Sequence, residues 1–327
     1  MLDSRLGRSS KYAQIAPDHV AAVNVPRRSR PPPTDRWDKH RHVGLQRLSW
    51  FRHLKSMSRL RILVTGATDG IGAETASILT RQGHDVIVHG RNTAKVQNSR
   101  ALLERLGGRP LPEPLVGDLA DLRAVTAMGQ AYLERGEGLD VLLHNAGVFA
   151  TTLQRSVDGH ELSVAVNHLA PFRLTAILLP LLLKAPQGRV VVVSSIAHSR
   201  GVVDFNALER KHPGDDYDGY GAYAESKLMN VLFSNELARR LQGTTVTSNS
   251  LHPGVVSTKL LKEGFGMRGP DSHEAGAATS VYLATDPGLA DVSGGYFVRQ
   301  RSTAPSQRAS NVDDARRLWT ISEALTG

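Results

Sequence analysis

The sequence predicts an α/β fold: a single doubly wound domain with a mostly parallel, seven-stranded sheet and helices on both faces. Two observations support this prediction. Short apolar, β-branched runs alternate with longer segments of helical periodicity from about residue 59 to the end of the chain. No composition break or solenoid-type repeat interrupts this alternation. Strands that alternate with helices form parallel sheets through right-handed crossovers.

Strands are predicted where three to seven residues, mostly apolar or β-branched, lie between turn residues. They are Arg61–Val64, Val86–His89, Leu111–Val116, Leu139–Leu143, Arg189–Val193, Thr245–Leu251 and Tyr296–Val298. The third strand has the weakest pattern of the seven.

Helices are predicted between these strands from apolar residues three and four apart. They are Ala73–Arg81, Thr93–Leu106, Asp121–Glu134, Gly159–Leu183, Tyr223–Leu241, His273–Leu283 and Asp313–Leu325. Gly107 and Gly108 end the second helix, and Asp121 is a suitable N-cap for the third.

The composition is that of a globular protein, with 40% apolar and 22% charged residues in 327. The chain has no cysteine, which excludes disulfides, thiolate zinc sites and cysteine nucleophiles. Its 13 histidines form no ligand-spaced cluster, so no metal is expected.

The net charge of +9 is concentrated near the start of the chain. Residues 1–56 carry twelve Arg and Lys against four Asp, a net of +8. We predict that residues 1–58 are a basic, disordered extension and that residues 59–327 form the folded domain. The extension lacks the apolar run of a secretory signal. A transit peptide, an extension of little consequence and a segment that binds anionic surfaces all remain open.

A cytoplasmic location is expected, without nucleic-acid binding, because the basic residues lie outside the predicted domain. No membrane span is expected either. The longest apolar stretch, Leu174–Leu183, has about half of the ~20 residues that a span needs, and it contains Pro180.

A glycine-rich turn, TGATDGIG, lies between the first strand and the first helix. This context is typical of a dinucleotide site, where the pyrophosphate binds at the helix N-terminus. The alternative is a glycine-rich turn that binds nothing. The predicted contacts in this turn are Gly66, Thr68, Asp69, Gly70, Ile71 and Gly72.

The end of the second strand indicates which dinucleotide binds. An acidic residue there would bind the ribose 2′-hydroxyl of NAD, whereas an arginine accommodates the 2′-phosphate of NADP. The strand VIVHG is followed by Arg91 and Asn92 with no acid beside them, which favours NADP. Asp69, close to the expected phosphate position, keeps NAD as the less favoured alternative, and Arg91 could also be a solvated surface residue.

Further candidates follow later strands. Asp118 and Leu119 follow the third strand, where Asp118 could bond an adenine. Asn145, Ala146 and Gly147 follow the fourth strand, where small residues allow the backbone to approach a cofactor. Asn167 lies inside a predicted helix, an unfavourable place for asparagine that indicates a buried role. Ser195 ends the fifth strand, at the edge where such sheets bind ligands.

Tyr223 and Lys227 are four residues apart, which places them on one helix face. Ionising a phenol at neutral pH requires about 4 kcal/mol. An ammonium roughly 5 Å away supplies on the order of 3 kcal/mol at an effective dielectric near 20. Tyr223 could therefore act as a general acid/base near neutral pH.

This ordered set of motifs resembles the short-chain dehydrogenase/reductase family over residues 59–325. The resemblance implies a Rossmann fold and a catalytic tetrad of Asn167, Ser195, Tyr223 and Lys227. It implies that Ser195 polarises the substrate oxygen, that Tyr223 transfers its proton, and that Lys227 binds the nicotinamide ribose and lowers the tyrosine pKa. Asn167 would hold a water in the proton relay.

The segment HPGVVST is similar to the family's cofactor loop. It adds Pro253, Gly254, Val255 and Thr258 to the implied cofactor contacts. Four segments resemble the branch of retinol dehydrogenases and WW-domain oxidoreductases: GRN, VSSIAH, AYAESKLMNVLFSNELARRL and LWTISEALTG. That branch implies hydride transfer between NADP(H) and an apolar or medium-sized alcohol/carbonyl pair.

The resemblance also implies a homodimer or homotetramer, formed through the helix that carries Tyr223. The segment Lys259–Ser272 is the expected substrate lid, and it is shorter and more charged than in animal retinoid enzymes. The alternative function on the same fold is a non-catalytic dinucleotide sensor or scaffold, although such proteins commonly lose the Tyr or the Lys.

Overall fold

The sheet contains eight strands in the order β3-β2-β1-β4-β5-β6-β7-β8 within the residues that the computed structural model describes, 59–210 and 217–327. Its strands are β1 (Arg61–Val64), β2 (Asp85–Gly90), β3 (Leu115–Val116), β4 (Val141–His144), β5 (Arg189–Val193), β6 (Thr247–His252), β7 (Tyr296–Val298) and β8 (Arg301–Ser302). Strands β1 to β7 pair in parallel, which confirms the predicted class of fold. The predicted extension, residues 1–58, lies outside the described residues.

Two strands differ from the prediction. Strand β3 is two residues long because Pro112 and Pro114 have no N–H to donate to a neighbouring strand. Strand β8 is an addition that pairs antiparallel with β7. It follows a tight turn in which Arg299 and Gln300 have φ of 50° and 62°. Strand β8 consists of two exposed polar residues, so the sequence contains no apolar pattern that predicts it.

The helices lie between these strands. They are α1 (Gly70–Arg81), α2 (Thr93–Gly107), α3 (Leu122–Glu134), α4 (Leu162–Leu182), α5 (Phe205–Arg210), α6 (Gly219–Arg240), α7 (His273–Thr285) and α8 (Val312–Thr326). Asp121 caps α3 as predicted, and Gly108 ends α2 at a φ of 65°. Helix α6 begins four residues before the predicted start because Asp218 caps it by accepting from the Tyr220 N–H. The short helix α5 was not predicted.

Helix α4 contains one wider turn, of the π type, at Ala165–Leu169. The Ala170 N–H donates to the carbonyl of Ala165, five residues earlier. Pro171 accounts for this local geometry: it has no N–H for the carbonyl of Asn167, and its ring would crowd that carbonyl in a regular helix.

Helix α4 is also the one helix of the described residues that is long and apolar enough to cross a membrane, with a mean hydropathy of 1.4. However, 83% of its apolar window is buried inside the protein. A buried core helix passes the same composition test, so this helix is weak evidence for a span.

Apolar side chains cover both faces of the sheet. On one face, Ile62 and Val88 pack with Leu79 of α1 and Leu283 of α7. On the other, α8 packs against α4 and α6, with Trp319 buried between Phe172 and Phe233.

The chain winds outward in opposite directions from β1 and β4, which are neighbours in the sheet. A crevice therefore opens above their carboxyl ends, where sheets of this type bind ligands.

Candidate active site

The glycine turn lies at the mouth of this crevice, between β1 and α1. Gly66 and Gly70 have φ of 66° and 55°, a conformation that side chains other than glycine rarely adopt. A Cβ added at Gly72 would lie 2.2 Å from the Gly66 carbonyl oxygen and 2.3 Å from Nδ2 of Asn145. The local fold therefore requires glycine at these positions.

Asn145 holds the turn from the neighbouring strand. Its Nδ2 donates to the carbonyl of Thr65 at 2.9 Å, while its backbone N–H donates to the Thr65 hydroxyl at 3.0 Å. The N–H of Ala146 donates to the same hydroxyl at 3.1 Å. The NAG segment was predicted to lie close to a cofactor. In the structure, the Asn145 side chain also holds the glycine turn in place.

His89 is a site residue that the sequence reasoning missed. Its Nδ1 accepts from the Gly66 N–H at 3.3 Å, and its Nε2 lies 3.2 Å from the carbonyl of Gly117. Burial lowers the pKa of His89 to about 4, so the imidazole is neutral and can make both bonds. A histidine at the end of the buried run VIVHG was the available signal, since a buried polar side chain needs partners.

The residues predicted to bind the adenosine half of a dinucleotide lie around the same turn. Arg91 is exposed, directly after β2. Asn92 caps α2 by accepting from the Lys95 N–H at 3.0 Å. The Asp118 carboxylate accepts from the Ala120 N–H at 2.9 Å. Leu119 is buried, with 6% of its surface exposed.

Asp69 has a structural role. It caps α1 by accepting from the Gly70 N–H at 2.8 Å. Its other carboxylate oxygen lies 4.0 Å from Nζ of Lys259, which belongs to the predicted lid. This pair is exposed, and Lys259 offsets the negative charge that the sequence places beside the expected phosphate.

The loop after β6 meets the glycine turn from the opposite side. The Thr258 methyl carbon would lie 3.5 Å from a Cβ at Gly70, so these two segments are brought together as predicted. The N–H of Val255 donates to the Asp271 carboxylate at 2.8 Å, and the Asp271 N–H donates to the Val255 carbonyl at 3.2 Å. Both backbone groups of Val255 are therefore paired with Asp271, which sequence reasoning missed.

Pro253 and Gly254 precede Val255 in this loop. Gly254 has a φ of 96°, and a Cβ there would lie 2.6 Å from the Asp271 carboxylate. Ile71, in the first turn of α1, packs near Gly276 of α7. These residues line the same side of the crevice as Thr258.

The phenol of Tyr223 lies at the carboxyl end of β5. Ser195 lies close enough to the phenol to lower its pKa, and it directly follows Ser194 at the end of that strand. Tyr223 is 6% exposed, and burial raises its pKa to about 12. The fold therefore brings Ser195 and Tyr223, two members of the implied tetrad, close together.

Lys227 lies beside the same ring. Its Nζ is 5.6 Å from the Tyr223 ring centroid and donates to the carbonyl of Val193 at 3.2 Å. Burial lowers the pKa of Lys227 to about 8. A Cβ at Gly147 would lie only 3.3 Å from this Nζ, so the glycine of the NAG segment leaves room for the ammonium.

These values differ from the prediction that Lys227 brings Tyr223 towards neutrality. The prediction placed a cation 5 Å from the phenol in a medium of dielectric ~20. In the fold, burial is the largest influence on both groups, raising one pKa and lowering the other. Burial therefore opposes ionisation of the phenol in the cofactor-free protein.

Asn167 lies in the π turn of α4 and its side chain makes three hydrogen bonds. Its Oδ1 accepts from the Val148 N–H at 2.8 Å, and its Nδ2 donates to the Val148 carbonyl at 3.0 Å and to Oγ of Ser226 at 2.9 Å. Ser226 in turn donates to the Tyr223 carbonyl at 2.7 Å. Asn167 thus connects the NAG segment to the helix of the tyrosine.

An aromatic cluster surrounds the phenol, and the sequence reasoning did not identify it. The Phe265 ring lies 4.5 Å from Phe149 in a stacked arrangement and 5.5 Å from Tyr223, edge to face. Tyr220 and Leu260 pack against the same cluster. Phe265 belongs to the predicted lid, so the lid contributes apolar surface beside the phenol despite its charged composition.

The residues present fit a dinucleotide. The only side-chain cap on the first turn of α1 in the described chain is the bond from Asp69 to Gly70. The Ala73 N–H donates to the Asp69 carbonyl, which leaves the N–H groups of Ile71 and Gly72 at the helix N-terminus, where the helix dipole favours a phosphate. A Cβ at Gly70 would meet only Thr258, so Gly70 leaves space beside the helix N-terminus.

Comparison with known proteins agrees with this geometry. The family model described as short chain dehydrogenase matches residues 61–207. Retinol dehydrogenase 14 of Homo sapiens is 38% identical over 291 residues, covering 81% of this chain and 86% of that protein.

Two solved structures are similar across most of their length. An uncharacterized protein from Mycobacterium paratuberculosis is 32% identical with a TM-score of 0.68, covering 83% of this chain and 94% of its own. A short chain dehydrogenase from Shigella flexneri complexed with NADP is 28% identical with a TM-score of 0.60, covering 74% and 97%.

The fold and these likenesses define the class: the chain belongs to the short-chain dehydrogenase family. Within that family it is similar to the retinol dehydrogenases. It is an NAD(P)-dependent oxidoreductase with a Rossmann-type fold.

Proposed function

We propose that this enzyme transfers a hydride between NADP(H) and an apolar alcohol/carbonyl pair, with Tyr223 as the general acid/base. The observation that supports this most directly is that Ser195 and the Lys227 ammonium both lie beside the Tyr223 phenol. These three groups meet at the carboxyl end of the sheet, next to the glycine turn. The bound nicotinamide would supply the hydride or accept it.

The chain's own residues would handle the proton. Ser195 would hold the substrate oxygen against Tyr223, and the phenol would donate its proton to a carbonyl or accept one from an alcohol. The raised pKa of Tyr223 makes the protonated phenol the dominant form at neutral pH. Carbonyl reduction begins from that form, so the free protein is prepared for reduction.

The preference for NADP is supported by Arg91. Its exposed guanidinium follows β2, where an arginine accommodates a 2′-phosphate. Asp69, the competing negative charge, is occupied with the Gly70 N–H and lies near Lys259. The Shigella flexneri relative whose structure contains NADP adds independent support.

An apolar substrate is supported by the rings next to the phenol. Phe149, Phe265 and Leu260 would exclude water and favour an apolar or medium-sized molecule. Retinol dehydrogenase 14 is named for an apolar alcohol of this kind. The short, charged lid distinguishes this chain from a dedicated retinoid site, so smaller apolar carbonyls are the first substrates to test.

Helix α6, through which the resemblance implies assembly, is partly covered within the chain. Helix α8 packs on α4 and α6, and its Leu318 and Ile321 lie in one cluster with Leu228 and Leu232 of α6. The side of α6 that carries Leu228 and Leu232 is therefore covered by α8. We propose that any homodimer or homotetramer uses a different surface. The cytoplasmic location and the role of residues 1–58 stay predictions.

A substrate-panel assay tests the function. Purified protein is mixed with NADPH and a series of aliphatic, aryl and polyene aldehydes, and the loss of NADPH absorbance is followed. We expect turnover with apolar aldehydes. Tyr223→Phe should lose it by at least 100-fold while binding NADPH normally. A dinucleotide sensor would show no turnover with any aldehyde, and Tyr223→Phe would leave its output unchanged.

A further inference from the structure

A buried hydrogen bond joins α4 to α8 through two residues that are 154 positions apart in the chain. Nε2 of His168 lies 2.7 Å from Oγ of Ser322. The Ser322 hydroxyl donates its own hydrogen to the Leu318 carbonyl at 2.7 Å. Oγ is therefore the acceptor and the His168 imidazole is the donor.

His168 has no second polar partner within the described residues. The side chain is fully buried, and its Nδ1 has no hydrogen-bond partner there. Its ring packs against Phe172 and Phe233 at centroid distances of 6.3 and 6.1 Å. Burial lowers the pKa of His168 to about 3, so the ring is neutral and carries one N–H. The Ser322 hydroxyl satisfies that N–H.

His168 follows Asn167 inside the π turn of α4. The two side chains leave this turn in different directions, one to α8 and one to the Val148 backbone and Ser226. Pro171 prevents the turn from closing as a regular α-helix. The orientation of this turn therefore depends on the contacts of its side chains.

We propose that Ser322 is a positioning residue for the active site. Its hydrogen bond to His168 holds the π turn in the orientation that keeps Asn167 on Val148 and Ser226. Ser226 donates to the Tyr223 carbonyl, so the bond connects α8 to the helix of the general acid/base. This inference rests on the proposed function for its effect on turnover, but its structural consequence can be measured without turnover.

The structural consequence is tested by hydrogen exchange. The amide of Val148 is protected by Oδ1 of Asn167. Ser322→Ala should accelerate exchange of that amide at least tenfold. The matched control is Thr320→Ala, which removes an exposed hydroxyl that bonds within the same helix, to the Arg316 carbonyl. Unchanged exchange at Val148 in folded Ser322→Ala would overturn the proposal.

The kinetic consequence is tested on the same variants with the best aldehyde of the panel. Ser322→Ala should lower kcat about tenfold while the dissociation constant for NADPH stays within twofold of the parent value. Thr320→Ala should match the parent in both. A fall in Tm with an unchanged kcat per folded molecule would show a purely structural role and reject the positioning role.

A double variant distinguishes two effects of losing the Ser322 hydroxyl: the loss of orientation of the π turn, and the burial of the His168 N–H without an acceptor. His168→Phe combined with Ser322→Ala removes both polar partners, so no N–H is left without an acceptor. Its Tm should recover relative to Ser322→Ala, which also provides a folded protein if the single variant is unstable. Its kcat and Val148 protection should stay low. Full recovery of both would overturn the proposal.

The two proposals fail in distinguishable ways. An absence of turnover across the panel would reject the proposed function, and the exchange measurement would still decide whether Ser322 holds the π turn. Normal turnover with unchanged exchange would reject only the role of Ser322.

Discussion

The ammonium group of Lys227 lies against the ring of Tyr223, 5.6 Å from its centroid, and donates to the carbonyl of Val193. The two residues share a face of α6, as their spacing predicts. Both are buried, and burial disfavours the charged form of each. At neutral pH the phenol is uncharged whether the chain is folded or unfolded, so only the buried charge of Lys227 costs stability.

Replacement of Lys227 by methionine should measure that cost. The pKa of Lys227 is lowered to about 8 from 10.5, a difference equivalent to about 3 kcal/mol at most. Asn230 still donates to the Val193 carbonyl at 3.2 Å. We expect Lys227→Met to abolish turnover and to raise the Tm of the cofactor-free protein at pH 7.

The pH dependence of this gain has a defined sign. Below pH 8 the lysine is charged in the folded and unfolded states, so the cost is complete. Between pH 8 and 10.5 the unfolded state binds more protons than the folded state, so the cost declines as the pH rises. The gain in Tm should therefore shrink above pH 8. Lys184→Met, at an exposed lysine, should show no such trend.

Arg91→Ala should weaken NADPH binding by about 10- to 100-fold, because a hydrogen bond to a charged phosphate contributes roughly 1.5–3 kcal/mol. NADH lacks the 2′-phosphate, so its affinity should stay within twofold. Calorimetric titration of both cofactors measures the ratio. Arg105→Ala is the control, because Arg105 is also exposed but lies near the other end of α2. Equal losses for NADPH and NADH would refute the phosphate assignment.

Gly72→Ala should abolish binding of both cofactors. A Cβ there would overlap the Gly66 carbonyl at 2.2 Å and Nδ2 of Asn145 at 2.3 Å, so the turn must move. Gly138→Ala provides the control, since a Cβ at Gly138 meets nothing within 4 Å. Fluorescence titration with NADPH and NADH, together with thermal unfolding, measures both effects. Retained affinity in Gly72→Ala would contradict the assigned geometry of the turn.

Trp319→Ala should destabilise the protein by about 3–5 kcal/mol, the usual cost of removing a large buried aromatic side chain. Trp319 is 3% exposed and packs against Phe172 and Phe233, with the Arg240 guanidinium 4.3 Å from its ring centroid. Urea unfolding gives the free energy. Val312→Ala, at an exposed position of α8, should cost less than 1 kcal/mol. A small effect at Trp319 would mean that α8 is not held by this packing.

Much of the site could be predicted from local patterns. The glycine turn, Ser195 and the Tyr223–Lys227 pair lie where their strands and helices end or expose a face, and periodicity identifies those places. The contacts of His89 with Gly66 and of Asp271 with Val255 could not be predicted in the same way. Each joins segments at least 16 residues apart, and no local pattern encodes which distant partner a side chain will meet.

The sequence by itself determined the order of strands and helices, the glycine turn and the residue types available for acid/base chemistry, because these depend on interactions between near neighbours in the chain. Only the tertiary structure decided how those groups behave. The pKa of Tyr223 is raised and that of Lys227 is lowered because burial, which the whole fold sets, disfavours the charged form of each group. The packing of α8 on α4 and α6 likewise depends on apolar faces that meet only when the chain folds.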